Sequence, residues 1–265
     1  MSERFTVLGG RGYLGSHLAA ALQEAGHDVI VPERGAGLDA AAGHVLYCIG
    51  VASDFRHRPL DTIRAHVVEL ERYLSQSGWD SFLYLSSTRV YAGAASGDED
   101  APLLLRPTDP DHIYNLSKAT GESLCLTLDH PALRVVRLSN VYGDDEGSGT
   151  FIADVVRAAR DGAVEFRTNP ASEKDYVALA DVVAIVPRIA VSGRERLYNV
   201  ASGRNVRVAD IAAALERAGV RCTFAGDAPP VRFPPIAIDR LVAEFGIRPE
   251  QLLTNLPAML RPKET

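Results

Sequence analysis

The chain has 265 residues, a formal net charge of −6, 46% hydrophobic and 23% charged residues, which suits one large domain, or one with a small cap, around a real core. That acidic balance and the lack of any Lys/Arg run argue against nucleic acid or an anionic membrane as a partner. No apolar run is long enough to span a bilayer and the N-terminus enters a strand almost at once, so a cytoplasmic protein is expected. Cys48, Cys125 and Cys222 are odd in number and widely spaced, which reads as reduced core residues and no metal site.

Phe5–Leu8 is a short apolar run ending in Gly9-Gly10-Arg11-Gly12-Tyr13-Leu14-Gly15. A helix follows through Leu18 and Leu22 to Gly26, then a second strand at Val29–Val31. This is a βαβ unit with Gly9, Gly12 and Gly15 in its first turn. Glycines there permit a tight turn and close backbone approach to a pyrophosphate, and the helix N-terminus offers N–H groups to it. Arg11, Tyr13 and Leu14 fall in the same cofactor-facing turn. The second strand closes with Pro32-Glu33-Arg34. A carboxylate at Glu33 would accept from the adenosine ribose and favour NAD, whereas Arg34 or Arg11 would pair a 2′-phosphate and favour NADP. The signals oppose each other, with a lean to NAD.

About a dozen residues separate Arg34 from the next strand, His44–Gly50, so one peripheral strand is expected to be trimmed; Ile49 and Gly50 close that strand beside the cofactor. Asp61–Leu74 has helical periodicity with Ile63, Val67, Leu70 and Leu74 facing in. Ser81–Leu85 is a buried strand running into Ser86-Ser87-Thr88-Arg89-Val90-Tyr91, which puts hydroxyls beyond a strand's carboxyl end, where ligands sit in open α/β sheets. Asp98, Glu99 and Asp100 read as a solvated acidic turn. Asp109 and Pro110 suit a helix start, and Ile113, Leu116, Thr120 and Leu124 read as the buried stripe of that helix. Tyr114 and Lys118 are four apart on one face. A fixed cation lowers a phenol's pKa and makes it usable as a proton carrier. The spacing is common by chance, and only the surrounding motifs give it weight.

Together, Gly9-x-x-Gly12-x-x-Gly15, Ser-Ser-Thr-x-Val-Tyr at 86–91 and Tyr114-x-x-x-Lys118 resemble the extended short-chain dehydrogenase/reductase family, in its nucleotide-sugar epimerase/dehydratase branch. The likeness continues in Arg137–Gly143, Lys174–Val177, Tyr198–Gly203 and Ile238–Arg240. The resemblance implies Ser87, Tyr114 and Lys118 as the catalytic set, with Lys118 holding the nicotinamide ribose. It implies Ser87, Asn140 and Lys174 on the substrate side; Thr88, in the hydroxyl run beyond the strand end, and Arg232, in a Pro-rich loop at 229–235 against the substrate cleft, are expected there as well. Lys174 takes the place of a family Arg, keeping the charge but losing the bidentate fork. His66 stands where relatives usually carry Asn and reads as a packed or surface histidine. Relatives are often homodimers through the helix carrying Tyr114 and the one beginning near Asp61.

The expected architecture is α/β, a Rossmann-type doubly wound parallel sheet with a small C-terminal substrate-binding lobe. The dinucleotide-binding core would span 1–143, with strand returns from about 175–200, and the lobe mainly 144–265. The expected function is an NAD(P)-dependent enzyme acting on a nucleotide-activated sugar by hydride transfer, an epimerase first. A reductase of a keto-sugar or another carbonyl comes next, then a dehydratase. A dinucleotide-binding sensor is the non-enzymatic alternative. Dehydratases of the branch place Asp-Glu directly after the hydroxyl residue. Here those positions are Thr88 and Arg89, which disfavours elimination.

Overall fold

A computed structural model describes residues 2–143 and 149–261 of the chain. In chain order it runs β1 (Arg4–Leu8), α1 (Tyr13–Glu24), β2 (Asp28–Ile30), β3 (Gly43–Tyr47), α2 (Pro59–Ile63), a π turn (Arg64–Val68), α3 (Glu69–Leu74) and β4 (Trp79–Ser87). Then come α4 (Ile113–Thr127), β5 (Leu133–Leu138), β6 (Asn140–Tyr142), α5 (Phe151–Arg160), β7 (Ala163–Phe166), β8 (Glu173–Ala178) and α6 (Leu179–Ser192). The chain closes with β9 (Leu197–Val200), β10 (Asn205–Arg207), α7 (Val208–Arg217), β11 (Arg221–Phe224), α8 (Asp239–Phe245) and α9 (Leu252–Met259).

Val7, Val45, Leu46, Phe82 and Leu83 are wholly buried, the near-continuous apolar reading of strands covered on both faces. They lie in a six-stranded sheet of order β2-β1-β3-β4-β5-β9. β1 pairs in parallel with β2 on one side and β3 on the other. The chain therefore changes its direction of travel across the sheet after β2, which creates the switch point where such sheets bind ligands. β2 stands at the edge, and the short return from Arg34 to β3 carries no further strand, as its length predicts. This is the Rossmann-type α/β fold.

The chain divides into two compact units, Met1–Val90 with Leu104–Arg137 and Val183–Tyr198, and Tyr91–Leu103 with Leu138–Val182 and Asn199–Thr265. The division anticipated at 143/144 adjoins residues 144–148, outside the described residues. Tyr47, Tyr73, Phe82, Tyr84, Leu70 and Val135 fill the core of the first unit. The second has its own core, including Ile152, Phe166, Tyr176, Ile211 and Leu256, beside a three-stranded sheet β10-β8-β6 and a parallel pair β11-β7.

The helical stretch after β3 departs from its expected face. Thr62, His66, Leu70 and Tyr73 are the buried positions, while Ile63, Val67 and Leu74 are only partly covered. The π turn at 64–68 holds one more residue per turn than an α-helix, which rotates the inward face and leaves carbonyls to be met by side chains. Tyr47 donates to Ala65 O at 2.6 Å and Tyr84 to His66 O at 3.3 Å. α4 packs against this turn because residue 121 is glycine: a Cβ there would lie 2.6 Å from the Tyr84 hydroxyl and 2.9 Å from His66 O. α4 is also not buried along its apolar stripe. Ile113, Leu116 and Leu124 are partly covered and Thr120 is exposed, whereas Tyr114, Ser117, Lys118, Gly121, Glu122 and Cys125 face in.

Candidate active site

The glycine turn is built by close backbone contacts. Gly9 has φ +79°, the left-handed region that favours glycine. Gly12 N donates to Gly9 O at 2.9 Å, and a Cβ at residue 15 would fall 2.3 Å from that same oxygen. The first turn of α1 carries neither a side-chain cap nor an acidic residue, so its N–H groups meet no built-in anion. Tyr13 and Leu14 are partly covered at this start, and the exposed Arg11 pairs with exposed Glu33 at 3.3 Å. Arg34 is exposed in the same turn after β2. The turn also abuts the end of β3, since a Cβ on Gly9 would lie 3.0 Å from Ile49 N. A Cβ on Gly50 would lie 3.3 Å from His66 Nε2 and 3.8 Å from Lys118 Nζ. The fold thus gathers the residues expected to hold a dinucleotide, Lys118 included, beyond the carboxyl ends of β1 and β3. The bare backbone cradle and an uncapped helix start fit that group.

Ser87 ends β4, and its hydroxyl favours ionisation of the Tyr114 phenol. Arg89 N donates to Ser87 Oγ at 3.2 Å, which fixes the hydroxyl, and the neighbouring Thr88 is buried. Burial raises the Tyr114 pKa above its ordinary value, opposed by the Ser87 hydroxyl and then by the charge of Arg89. Those two groups act against the cost of ionising the phenol. The Lys118 ammonium donates to Leu85 O at 2.8 Å and lies 4.8 Å from the Tyr84 ring centroid. Burial lowers its pKa to about 7, with the nearby charge of Glu122 resisting. A lysine poised there gains or loses its charge near neutrality.

His66 is completely buried. Its Nε2 accepts from Val51 N at 3.2 Å, and its Nδ1 lies 2.8 Å from Ser117 Oγ, which in turn donates to Tyr114 O at 2.8 Å. The Nε2 lone pair is committed, so Nδ1 is the protonated nitrogen and the ring is neutral. Burial and then the charge of Lys118 push its pKa down to about 2. The ring meets Tyr114 edge-on with centroids 5.2 Å apart. His66 is therefore a packed residue, as read, but one that ties the β3 loop to the helix carrying Tyr114.

Beneath Lys118, Glu122 accepts from Arg137 at 2.7 Å and from Ser86 Oγ at 2.5 Å. This buried group was missed; its position four after Lys118 was the available signal. Asn140, Lys174 and Arg232 belong to the second unit. Asn140 Nδ2 donates to Asp175 O at 2.8 Å, Lys174 lies on the adjacent β8, and Arg232 forms an isolated bridge with Glu173. The acidic turn there is not uniformly solvated, because Glu99 is buried and accepts from Asn199 N at 3.0 Å. Asp98 and Asp100 remain exposed. Among the described residues no His/Cys/Asp/Glu group is arranged to hold a metal, and no helix is long and apolar enough to cross a membrane.

The profile of the NAD dependent epimerase/dehydratase family matches residues 5–201. The chain belongs to this family. As a member it is an NAD(P)-dependent enzyme. It is similar to a dTDP-4-dehydrorhamnose reductase of Mycobacterium tuberculosis, 29% identical over 213 residues that cover 73% of this chain and 68% of the relative. In fold it resembles MoeE5 in complex with UDP-glucose and NAD, with TM-score 0.77, 21% identity and 97% of each chain covered. It likewise resembles RMD from Pseudomonas aeruginosa complexed with NADPH, with TM-score 0.76, 22% identity and 98% of each chain covered.

Proposed function

We propose that the protein acts on a nucleotide-activated sugar as an epimerase, with Ser87, Tyr114 and Lys118 as its catalytic residues. The carrying observation is that Lys118, one helical turn on from Tyr114, bonds Leu85 O two residues before Ser87 and lies next to Gly50 and the dinucleotide cradle. Gly9, Gly12, Gly15, Ile49, Gly50 and Lys118 would hold the dinucleotide. When bound, the nicotinamide accepts and returns a hydride at a sugar carbon. Ser87 Oγ holds the reacting oxygen beside the phenol, and Tyr114 takes its proton or returns it. Asn140, Lys174 and Arg232 would meet the nucleotide portion of the substrate. NAD is the favoured cofactor, since the Glu33 carboxylate occupies the second-strand end, although Arg11 partly offsets its charge.

Elimination of water needs an additional acid and base. Thr88 supplies no carboxylate and Arg89 is a cation, which sets a dehydratase last. The likeness to a reductase favours net reduction of a keto-sugar as the second reading. Incubation with a panel of nucleotide sugars without reductant, followed by NMR and mass analysis, tests the proposal. An isomer of unchanged mass supports it, turnover only with added NADPH favours the reductase, and a product lighter by one water overturns both.

The protein would work in the cytoplasm, where its three free cysteines stay reduced. It would pair as a homodimer across α2, the π turn and α4, where Leu60 and Val68 are exposed apolar residues. Light scattering on the purified protein tests the pairing, and a monomer at micromolar concentration overturns it.

A further inference from the structure

We propose that Arg89 reads a carboxylate on the sugar, next to the carbon that reacts, so that the substrate is an acidic sugar. This rests on the nucleotide-sugar reading. Arg89 sits on the short 3₁₀ turn Thr88–Tyr91, immediately after Ser87. Its guanidinium lies 5.1 Å from the centroid of the Phe55 ring, and that of Arg56 lies 4.6 Å from the same ring. Two cations therefore share one aromatic ring. Arg56 is neutralised by a two-point bond to Asp111, at 2.5 and 2.9 Å. Among the described residues the Arg89 guanidinium reaches only the Asp111 carbonyl, at 3.5 Å, and its Nε is buried without a partner.

Other covered arginines of this unit are fully engaged. Arg137 holds Glu122, Arg196 holds the carbonyls of Leu133, Cys125 and Leu128, and Arg72 holds Glu69 with two carbonyls. Arg89 is the under-committed fork, and a guanidinium matches a carboxylate in two-point geometry. The placement decides which part of the substrate it meets. Arg89 N bonds Ser87 Oγ, and the Phe55 ring against which its guanidinium lies is itself 5.3 Å from the Tyr114 ring, centroid to centroid. The group it receives therefore belongs beside the reacting oxygen.

Titration calorimetry on the NAD-loaded protein tests this, with UDP-glucuronate, UDP-glucose and UDP and their thymidine counterparts as probes, and free glucuronate as a further one. Thermal melting and NAD binding check that each variant is folded. The expected result is at least ten-fold tighter binding of the acidic sugar nucleotide than of its neutral twin, lost in Arg89→Met and partly kept in Arg89→Lys. Should Arg89→Met prove unfolded, the partial loss in Arg89→Lys carries the test. Equal binding of both twins, unchanged by either variant, overturns the inference and leaves the nucleotide-sugar reading standing. Equal weakening of UDP itself shows that Arg89 reads the diphosphate, and also overturns it. If no nucleotide sugar binds but glucuronate does, in an Arg89-dependent way, the nucleotide reading falls and the inference stands. Binding of none of the probes overturns both.

Discussion

Glu122 and Asp175 are both almost completely buried carboxylates, one in each unit, and they are satisfied by different means. Glu122 faces the Arg137 guanidinium and the Ser86 hydroxyl, and its charge also supports the protonated form of Lys118. Asp175 meets only neutral donors: Ser139 Oγ at 2.6 Å, Ser202 N at 2.9 Å, Ser202 Oγ at 2.8 Å and Arg204 N at 2.8 Å. Burial raises the Asp175 pKa and those hydrogen bonds oppose the rise. Hydroxyls and backbone amides tie β8 to the Ser202–Arg204 turn. The ionic arrangement around Glu122 instead sets charge beside a lysine that must change or hold its own. Ionic burial lies where proton transfer is proposed, and neutral burial where a strand is tied to a turn.

The largest test of that contrast is at Tyr114. Tyr114→Phe is expected to lower turnover by roughly 10²–10⁴ while dinucleotide binding, followed by fluorescence titration, stays nearly intact. Full activity on the true substrate would remove the catalytic assignment. Next comes stability. Arg137→Met leaves Glu122 buried without its counter-ion and is expected to cost about 3–5 kcal/mol. Asp175→Asn retains an acceptor and is expected to cost about 1–3 kcal/mol. Urea unfolding of the two variants compares them directly, and a reversed order would show that the ionic group is the less critical one.

The third test uses pH. The folded pKa of His66 is about 2, against an unfolded value near 6.5, so below about pH 6.5 the unfolded chain binds a proton that the folded ring refuses. Its contribution is fully present above that pH and is lost as pH falls towards 2, by up to about 1.4 kcal/mol per pH unit. His66→Asn, which places the relatives' usual residue there, should flatten the acid limb of stability between pH 6 and 4. An unchanged slope in urea melts at those pH values would assign the acid sensitivity elsewhere. The smallest effect belongs to the exposed carboxylate. The Arg11–Glu33 pair is worth at most about 1 kcal/mol in stability, so Glu33→Ala should leave the melting point almost unmoved. The same substitution should shift cofactor preference towards NADP several-fold, read by titrating both dinucleotides. Unchanged preference would put the choice on other residues.

Features written in neighbouring residues were legible from the chain itself. The glycine turn, the apolar runs of β1, β3 and β4, the trimmed edge after Arg34 and the Tyr114–Lys118 spacing all depend on contacts within one turn, one strand or one short loop. Apolar periodicity misplaced the inward faces of α4 and of the helix before β4. The buried face of α4 is largely polar, and an extra residue in the π turn rotates the other. Those polar positions are tolerable only because partners arrive from far along the chain: Ser117 for His66, 51 residues away, and Ser86 for Glu122, 36 residues away. Charge state was likewise settled in three dimensions. Burial, not sequence neighbours, moves Lys118 to about 7 and His66 to about 2. The sharing of Phe55 by Arg56 and Arg89 depends on a ring more than 30 residues before Arg89 in the chain. Local spacing determined which groups the protein carries, and only long-range packing decided which of them are desolvated, paired or left with a donor unmet.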